Sequence, residues 1–391
     1  MHVPYNYLDR QFSDVDDDPD GFQTGARYLN SLSSTILDEI KLLALSGDFT
    51  LGAQVAEFEG MWAESVGAKY AVGVSNGTDA IFLALKAAGI GAGNVVATAP
   101  NTFLATVGAI LQAGATPAFI DVDVETGLLS DDPVRYARCT EAAGLDAVVP
   151  VHWTGDVAGA YAQDVPVIYD AAQAVGATRT GHKIGGDGFA SAYSLHPLKN
   201  VNVWGDGGVV TTNNEDVAIR LKSLRNHGLL GRDMWLEPGY NHRLSTLQAI
   251  VGKHVLSGLN KTTEQRRANA ARYINYWEDM GLREDQFSAP TRPGWNGQTA
   301  TGPAFHLFQI QATDRDRLVT HLNAAGIEAK VHYPRPLHLQ PALREFGWRA
   351  GDLPNVEAWC AKTVSLPVHE YLSGDQIEFA AQTVVDFYRE A

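Results

Sequence analysis

The sequence predicts an α/β protein with a mostly parallel central sheet in a large domain, followed by a smaller C-terminal α+β domain. Three observations support this fold class. The chain has 391 residues, which exceeds the usual size of one hydrophobic core. From about Asp48, short β-branched runs alternate with amphipathic helical segments. After Leu244 the pattern changes to long helices and a new set of elements, which predicts domains over 1–257 and 258–391.

The predicted strands of the large domain share short runs of β-branched and apolar residues, and they are 70–74, 95–98, 117–122, 147–151, 165–169, 190–194 and 209–212. The segments 78–88 and 103–113 between them have helical periodicity. In the C-terminal part, elements are predicted at 304–311, 314–325, 327–333 and 374–389. A parallel sheet binds ligands at the edge formed by the carboxyl ends of its strands, so functional residues are expected there.

Composition excludes several classes of protein. The formal net charge is −15, from 30 basic and 45 acidic residues, which argues against a nucleic-acid surface. The two cysteines, Cys139 and Cys360, are too far apart for a disulfide framework or a cysteine-rich metal site, and a reducing cytoplasm is expected. The N-terminus has no signal-peptide pattern and no apolar stretch reaches about 18 residues, so neither secretion nor a membrane partner is expected.

An acidic, turn-rich segment runs from Asp14 to Thr24 and is predicted to be a solvated loop. A calcium loop is the alternative interpretation. The segment lacks the glycine and the terminal glutamate of an EF-hand loop, so no metal site is predicted.

Lys199 and Asp170 are the most informative pair of residues. Each follows a predicted strand, and each is close to glycine or small residues. Pyridoxal phosphate (PLP) requires an amine for a Schiff base and a carboxylate that keeps its ring nitrogen protonated. Asp170 could instead be an ordinary helix N-cap. The pair therefore predicts a PLP site only if other cofactor contacts are present.

The segment 75–80 follows a strand and precedes an apolar helix, so the backbone N–H groups of Gly77 and Thr78 would lie at a helix N-terminus, where phosphate binds. An ordinary strand-to-helix turn capped by Asn76 or Thr78 is the structural alternative. The sequence Gly73-Val-Ser-Asn-Gly77 also matches a hydrolase nucleophile elbow, with Ser75 as nucleophile. His332 or His338 would then act as its histidine.

Two further residues fit a pyridine ring. Gln173 lies one helical turn after Asp170 and could reach the ring hydroxyl. Phe103 precedes a predicted helix beside the phosphate segment, where an aromatic ring could stack on the pyridine, although an aromatic residue at a helix start usually belongs to the core.

Together these segments resemble the DegT/StrS sugar aminotransferases, PLP enzymes of fold type I, over nearly the whole chain. The matching motifs are GDFTLG (47–52), NGTD (76–79), PVHW (150–153), DAAQ (170–173), the stretch 194–208, LRNHG (224–228), GYNHR (239–243), HYP (332–334) and PLHLQ (336–340). Val175 replaces a common histidine after DAAQ, and the acidic segment is unusual for the family.

The resemblance implies a role for each matching residue. Lys199 would form the Schiff base, Asp170 would contact the pyridinium nitrogen, Gln173 the ring hydroxyl, and Phe103 would stack on the ring. Gly77, Thr78 and Ser194 would bind the phosphate, and Asn241 would reach it from the neighbouring subunit of a homodimer. His332, Tyr333 and Arg243 would face the substrate. Weaker candidates are His152, His227, Arg225 and Arg335.

The function implied by the resemblance is transfer of an amino group from glutamate or glutamine to a keto group of a nucleotide-linked sugar. A keto-cyclitol or a keto-sugar phosphate is an alternative acceptor. Cysteine desulfurases and aldolases share the fold, but a desulfurase needs a reactive cysteine. An α/β hydrolase using Ser75 and a regulatory protein without catalysis are the more distant alternatives.

Overall fold

The computed structural model describes residues 1–14, 28–129, 144–159, 165–281, 287–288 and 302–390. The acidic segment lies outside these residues except for Asp14, and Cys139 also lies outside them. No helix in the described part of the chain combines the length and the apolar character needed to cross a membrane.

The helices of the described residues include counterparts of the predicted segments 78–88, 103–113, 314–325 and 374–389. They are α1 (Leu8–Gln11), α2 (Ser31–Ser46), α3 (Ala53–Val66), α4 (Gly77–Ala87), α5 (Leu104–Gln112), α6 (Glu215–Leu224), α7 (Thr246–Leu256), α8 (Leu259–Met280), α9 (Arg315–Ala324), α10 (Pro354–Lys362) and α11 (Gly374–Glu390). Short 3₁₀ turns occur at Trp153–Gly155, Leu337–Leu339 and Pro341–Phe346.

The strands of the described residues are short. They are β1 (Ser13–Asp14), β2 (Tyr28–Leu29), β3 (Tyr70–Val74), β4 (Val95–Thr98), β5 (Thr116–Phe119), β6 (Ala147–Val149), β7 (Ile168–Asp170), β8 (Thr178–Arg179), β9 (His182–Lys183), β10 (Ala190–Ser194), β11 (Gly208–Thr212), β12 (Leu229–Leu230), β13 (Met234–Trp235), β14 (Phe287–Ser288), β15 (Phe308–Ala312) and β16 (Thr363–Leu366).

The central sheet has the order β3-β11-β10-β7-β6-β4-β5. Parallel bridges Val148–Val167 and Val151–Asp170 join its two halves. Six strands are parallel, and β11 runs antiparallel to both of its neighbours. The carboxyl ends of β3, β7 and β10 therefore meet at one edge of the sheet, where β11 begins. The predicted sheet is mostly parallel, as observed.

Helix α4 lies directly behind this edge. Its residues 79–85 are all buried, so it packs against the sheet with every face covered. A helix that is apolar on all sides is typical of the interior of a large domain. This packing fixes the N-terminus of α4 next to the ends of β3 and β10.

The C-terminal part has its own core. Strands β14, β15 and β16 form an antiparallel sheet, and α8 and α11 pack on it through Tyr273, Trp277, Phe308 and Val384. Val3 from the N-terminus joins the same core. The predicted boundary at 258 coincides with the start of α8, and it stays a prediction.

Some predicted elements differ in extent. The strand expected at 165–169 is Ile168–Asp170, so Asp170 is itself the last strand residue. The element expected at 327–333 makes only isolated bridges, at Ile327 and Lys330. Two prolines, Pro334 and Pro336, follow it, and they prevent continuation of a ladder because proline lacks an N–H group.

Candidate active site

Asp170 and Lys199 lie at the same edge of the central sheet. Asp170 ends β7 and pairs with Ala192 of the parallel strand β10. Lys199 follows the end of β10 in a turn in which its N–H donates to the carbonyl of His196 at 2.8 Å. The Asp170 carboxylate is buried, and it accepts hydrogen bonds from Thr106 Oγ1 at 2.7 Å and from the Ala172 N–H at 3.1 Å.

Burial changes the protonation of both groups. It lowers the pKa of Lys199 to about 8, while the nearby Asp170 partly opposes this shift. Burial also raises the pKa of Asp170, against the hydrogen bonds from Thr106 and Ala172 and the charge of Lys199. The amine is thus available in its neutral, nucleophilic form near neutral pH.

The N-terminus of α4 forms a concave site next to Ser194. Asn76 caps the helix, because its Oδ1 accepts the N–H of Asp79 at 2.8 Å. The N–H groups of Gly77 and Thr78 belong to the first turn, where a helix provides no internal acceptor. A Cβ atom at Gly77 would lie 2.7 Å from Ser194 Cβ and 3.0 Å from its Oγ. Glycine is therefore required for the serine hydroxyl to approach the helix end.

A Gly77→Ala variant should bind PLP about 10- to 100-fold more weakly, since relieving this clash costs roughly 1–3 kcal/mol. Gly60→Ala is the control, because Gly60 is in the interior of α3 and an added Cβ there meets no atom within 4 Å. Fluorescence titration of each variant with PLP measures the affinity. Equal affinities for both variants would contradict a phosphate site at Gly77.

Gln173 and Phe103 border the same space. Gln173 is buried, and its Oε1 accepts the backbone N–H of Thr154 at 2.8 Å, so its amide NH₂ is the group left for a ligand. Phe103 directly precedes α5 and is 47% exposed. Its ring lies 5.9 Å from that of Tyr333, so this aromatic residue is not a core residue.

His332 and Tyr333 belong to a segment of the small domain that lies next to Lys199 and Asp170. Burial raises the pKa of Tyr333 to about 12, with Asp170 adding to the shift. Burial lowers the pKa of His332 to about 4, and the charges of Lys199 and Lys330 contribute. Both side chains are therefore neutral and close to the Lys199–Asp170 pair. The peptide bond between them is cis.

Asn241 and Arg243 are on a segment that runs beside β3. Asn241 forms a bridge with Asn226, and Arg243 forms one with Val74. The guanidinium of Arg243 donates to Asn226 Oδ1 at 3.2 Å, whereas Asn241 is exposed. The segment is thus near the N-terminus of α4 in the same chain.

The weaker candidates are largely structural. The histidine of the PVHW motif, His152, is fully buried, stacks on Tyr169 at 4.8 Å, and accepts the N–H of Ala158 at 3.0 Å. Burial lowers its pKa to about 3, with a contribution from Arg179. A neutral, enclosed ring of this kind supports the loop around it.

Arg225 has structural partners, while the roles of His227 and Arg335 stay predictions. The Arg225 guanidinium donates to Glu59 and, at 2.7 Å, to the carbonyl of Gly73. The carbonyl of His227 accepts Trp235 Nε1 at 3.0 Å, and Arg335 is exposed.

The geometry around Ser75 does not form a hydrolase triad. Its hydroxyl donates to the Asp79 carboxylate and lies 3.4 Å from His242 Nδ1, and the same Nδ1 is 2.9 Å from Asp79. A triad needs one imidazole nitrogen for the serine and the other for the acid. His332 and His338 bond instead to Ser365 and Glu357. The predicted pairing of Ser75 with either histidine is wrong.

Cys360 cannot serve a desulfurase. It is buried, and burial raises the pKa of its thiol to about 12, with Glu357 adding and Arg315 opposing. A thiol of this kind is not a nucleophile near neutral pH.

The structure adds residues near Lys199 that the sequence did not indicate. His306 Nδ1 is 3.3 Å from Asn200 Oδ1. The Nδ2 group of Asn200 donates to the carbonyl of Ala304 at 3.0 Å. Burial and the charge of Lys199 lower the pKa of His306 well below its usual value. The Tyr7 hydroxyl donates to the Lys199 carbonyl at 3.3 Å. In the sequence, only the position of Asn200 next to Lys199 indicates that one of these residues lies near the site.

A lysine amine beside a buried carboxylate, at the strand-end edge of a mostly parallel sheet, defines an α/β enzyme site of the transaminase type. The chain belongs to the DegT/DnrJ/EryC1/StrS aminotransferase family, whose model matches residues 30–385. The resemblance predicted from the motifs is confirmed.

The chain is also similar to individual proteins over most of its length. The chain is 37% identical to "Pleiotropic regulatory protein" of Geobacillus stearothermophilus over 363 residues, covering 90% of this chain and 94% of that protein. It is 34% identical to dTDP-3-amino-3,4,6-trideoxy-alpha-D-glucose transaminase of Streptomyces venezuelae, covering 88% and 89% of the two chains.

Solved structures confirm the predicted fold class, that of fold type I aminotransferases. The crystal structure of S. venezuelae DesV in complex with a ketimine intermediate is similar to this chain, with a TM-score of 0.86 and 31% identity. The similarity covers 99% of this chain and 98% of DesV. A DegT DnrJ EryC1 StrS aminotransferase from Brucella abortus has a TM-score of 0.83, 30% identity, and coverage of 91% and 96%.

Proposed function

We propose that the protein uses PLP to transfer an amino group from glutamate or glutamine to a keto group of a nucleotide-linked sugar. The observation that carries the proposal is the half-buried Lys199 beside the buried Asp170, an arrangement that lowers the pKa of the lysine to about 8. Relatives whose names specify dTDP- and UDP-linked amino sugars support a nucleotide sugar as acceptor.

The donor set fits PLP. Lys199 supplies the amine, and Asp170 supplies a carboxylate for the ring nitrogen. The Gln173 amide, with its oxygen already bonded to Thr154, presents N–H groups for the ring hydroxyl. Phe103 would stack on the ring. Gly77, Thr78 and Ser194 would bind the phosphate, since the close approach at Gly77 places the Ser194 hydroxyl beside the N–H groups of the helix end. When bound, the cofactor supplies an electron sink for carbanion chemistry.

The chain's own residues would orient the substrate and move protons. The Lys199 amine would act as base and then as acid in each half-reaction: it would remove the α proton of the donor amino acid in the first and deliver a proton to the acceptor carbon in the second, because a neutral amine is a competent general base. Asp170, held by Thr106 and Ala172, would stay ionised against the ring nitrogen. His332, Tyr333 and Arg243 would bind substrate.

The lowered pKa of Lys199 gives a pH prediction. In the apoenzyme, labelling of Lys199 by acetic anhydride should increase with pH and level off above about 8, because only the neutral amine reacts. Peptide mass analysis of a pH series measures this profile, with the exposed Lys222 labelled in the same samples as reference. A profile still rising at pH 10 would contradict the proposed neutral amine.

A homodimer with shared active sites is part of the proposal. The hairpin of β12 and β13 exposes four large apolar side chains, which are Leu230, Met234, Trp235 and Leu236. Trp235 alone is 68% exposed. Apolar groups clustered in this way are typical of a surface that another protein covers. We place a second copy there, with Asn241 reaching the phosphate site of its partner.

Mixing two inactive variants tests the shared site. Lys199→Ala and Asn241→Ala chains, mixed and re-associated, should give about a quarter of the wild-type activity, since half of the dimers would contain one complete site of two. Unmixed variants are the controls. If Asn241 served its own chain, no mixed dimer would have a complete site and activity would stay at background.

The reaction is tested by feeding the purified protein a donor and an acceptor. With glutamate or glutamine we expect formation of the 2-oxo acid, and a dTDP- or UDP-linked ketosugar should become an amino sugar detectable by mass. A keto-cyclitol and a keto-sugar phosphate are tested in parallel as alternative acceptors. Absence of any donor-dependent 2-oxo acid would overturn the proposal and favour a non-catalytic, regulatory role.

A further inference from the structure

His332 belongs to a hydrogen-bonded network that includes Ser365 and Gln309. Its Nδ1 lies 2.9 Å from Ser365 Oγ, and the Ser365 hydroxyl is near enough to the Tyr5 phenol to lower its pKa against the effect of burial. The rings of Tyr5 and His332 are 5.8 Å apart. Ser365 is fully buried in β16, and its backbone pairs with Gln309 on one side and Lys330 on the other. Its position is therefore rigid.

The orientation of the Gln309 amide determines which hydrogen bond the Ser365 oxygen accepts. Trp153 Nε1, which can only donate, donates to Gln309 Oε1 at 3.0 Å. The Gln309 amide nitrogen therefore faces the other way, and it donates to the His332 carbonyl at 2.6 Å and to Ser365 Oγ at 3.4 Å. One lone pair of the serine oxygen is thus occupied by a Gln309 N–H.

The position of the serine hydrogen follows from these partners. Of the two side chains bonded to Ser365 Oγ, the Gln309 amide nitrogen can only donate, so His332 Nδ1 is the acceptor available to the serine hydroxyl. If Nδ1 carried the proton instead, both neighbours would donate to the serine, and the hydrogen of this fully buried residue would lose that acceptor, which is unfavourable. Burial raises the pKa of Tyr5, so its phenol keeps its hydrogen and can donate to the serine as well.

We propose that Tyr5, Ser365 and Gln309 hold His332 with its proton on Nε2, so that His332 presents a hydrogen-bond donor to the substrate pocket. Tyr5 and Ser365 are then positioning residues, since they act through His332. This inference rests on the proposed function, because it assigns the substrate contact that His332 would make.

The chemistry of the contact selects the partner. In the described part of the chain no Asp or Glu bonds to the imidazole, and the nearby Lys199 and Lys330 disfavour its cationic form. A carboxylate bonds more strongly to a charged guanidinium than to a neutral N–H group, and Arg243 is the guanidinium proposed to bind substrate. We therefore assign His332 Nε2 to a hydroxyl or carbonyl oxygen of the keto sugar, and not to the carboxylate of the amino donor.

Nitrogen-15 NMR of histidine-labelled apoenzyme tests the tautomer without any substrate. At neutral pH we expect a protonated Nε2 and a bare Nδ1 for His332, with its signals assigned by their loss in His332→Gln. Ser365→Ala should move part of the proton to Nδ1, and Tyr5→Phe should do so with less change to the serine itself. A proton on Nδ1 in the wild type, or no change in both variants, would overturn the inference.

Rapid-mixing kinetics test the assigned partner. Ser365→Ala should slow the keto-sugar half-reaction about tenfold, the effect of one hydrogen bond, and change the glutamate half-reaction much less. An equal loss in both half-reactions would contradict the assignment to the sugar. If wild-type protein shows no glutamate half-reaction, the proposed function fails, whereas the NMR result stands or falls independently.

Discussion

Replacing Lys199 by alanine should abolish amino transfer in both half-reactions, with a fall in rate of about 10⁴-fold or more. The amine is proposed both to anchor the cofactor and to move the proton, and among the described residues Lys199 is the lysine whose charge acts on Asp170. Single-turnover spectroscopy with glutamate, together with mass analysis of borohydride-treated protein, measures both losses.

Lys222→Ala is the matched control for that variant, because Lys222 is exposed on α6. It should retain wild-type turnover. Residual turnover in Lys199→Ala near the wild-type rate would contradict the assignment of the catalytic lysine.

An Asp170→Asn variant should be slowed by about 10²- to 10³-fold, the cost of removing one preorganised charge from a buried site. Asparagine keeps the size of the side chain but cannot hold a pyridine nitrogen in its protonated form. Removing the carboxylate should also lower the pKa of Lys199 further, because in the wild-type protein the charge of Asp170 opposes the lowering caused by burial. Turnover and the pH profile of Lys199 labelling measure the two effects.

A Thr106→Val variant tests the hydrogen bond to Asp170 while the carboxylate itself is retained. The variant removes the 2.7 Å hydrogen bond to the carboxylate and should raise the pKa of Asp170, because that bond favours the ionised form. We expect a smaller loss of turnover than in Asp170→Asn, greatest at low pH. Wild-type turnover in Asp170→Asn would contradict the role of the carboxylate.

The residues of the candidate site that could be predicted share a local cause. Asp170, Ser194 and Gly77 each end a strand or begin a helix, so hydrophobic periodicity and glycine placed them at one sheet edge. The sheet itself followed from the alternation of strands and helices. Lys199 was found because its chemistry is specific, although only the resemblance named its role.

Other parts of the site depend on contacts between distant segments. Three such residues are Thr106 on α5, His306 in the small domain and Ser365 on β16. No spacing in the sequence indicates that they lie near the same site. Tyr7 contacts Lys199 across nearly half of the chain. The antiparallel direction of β11 is equally a matter of tertiary pairing. The role of Asn241 requires a second chain, so it stays a prediction.

The most direct test of the central claim is the visible absorption spectrum of the purified protein with PLP, recorded before and after addition of glutamate. We expect a band of lysine-bound cofactor that glutamate bleaches, and borohydride reduction beforehand should leave a mass adduct on Lys199. A protein that gives no band and no adduct would contradict the PLP site, and with it the proposed aminotransferase reaction.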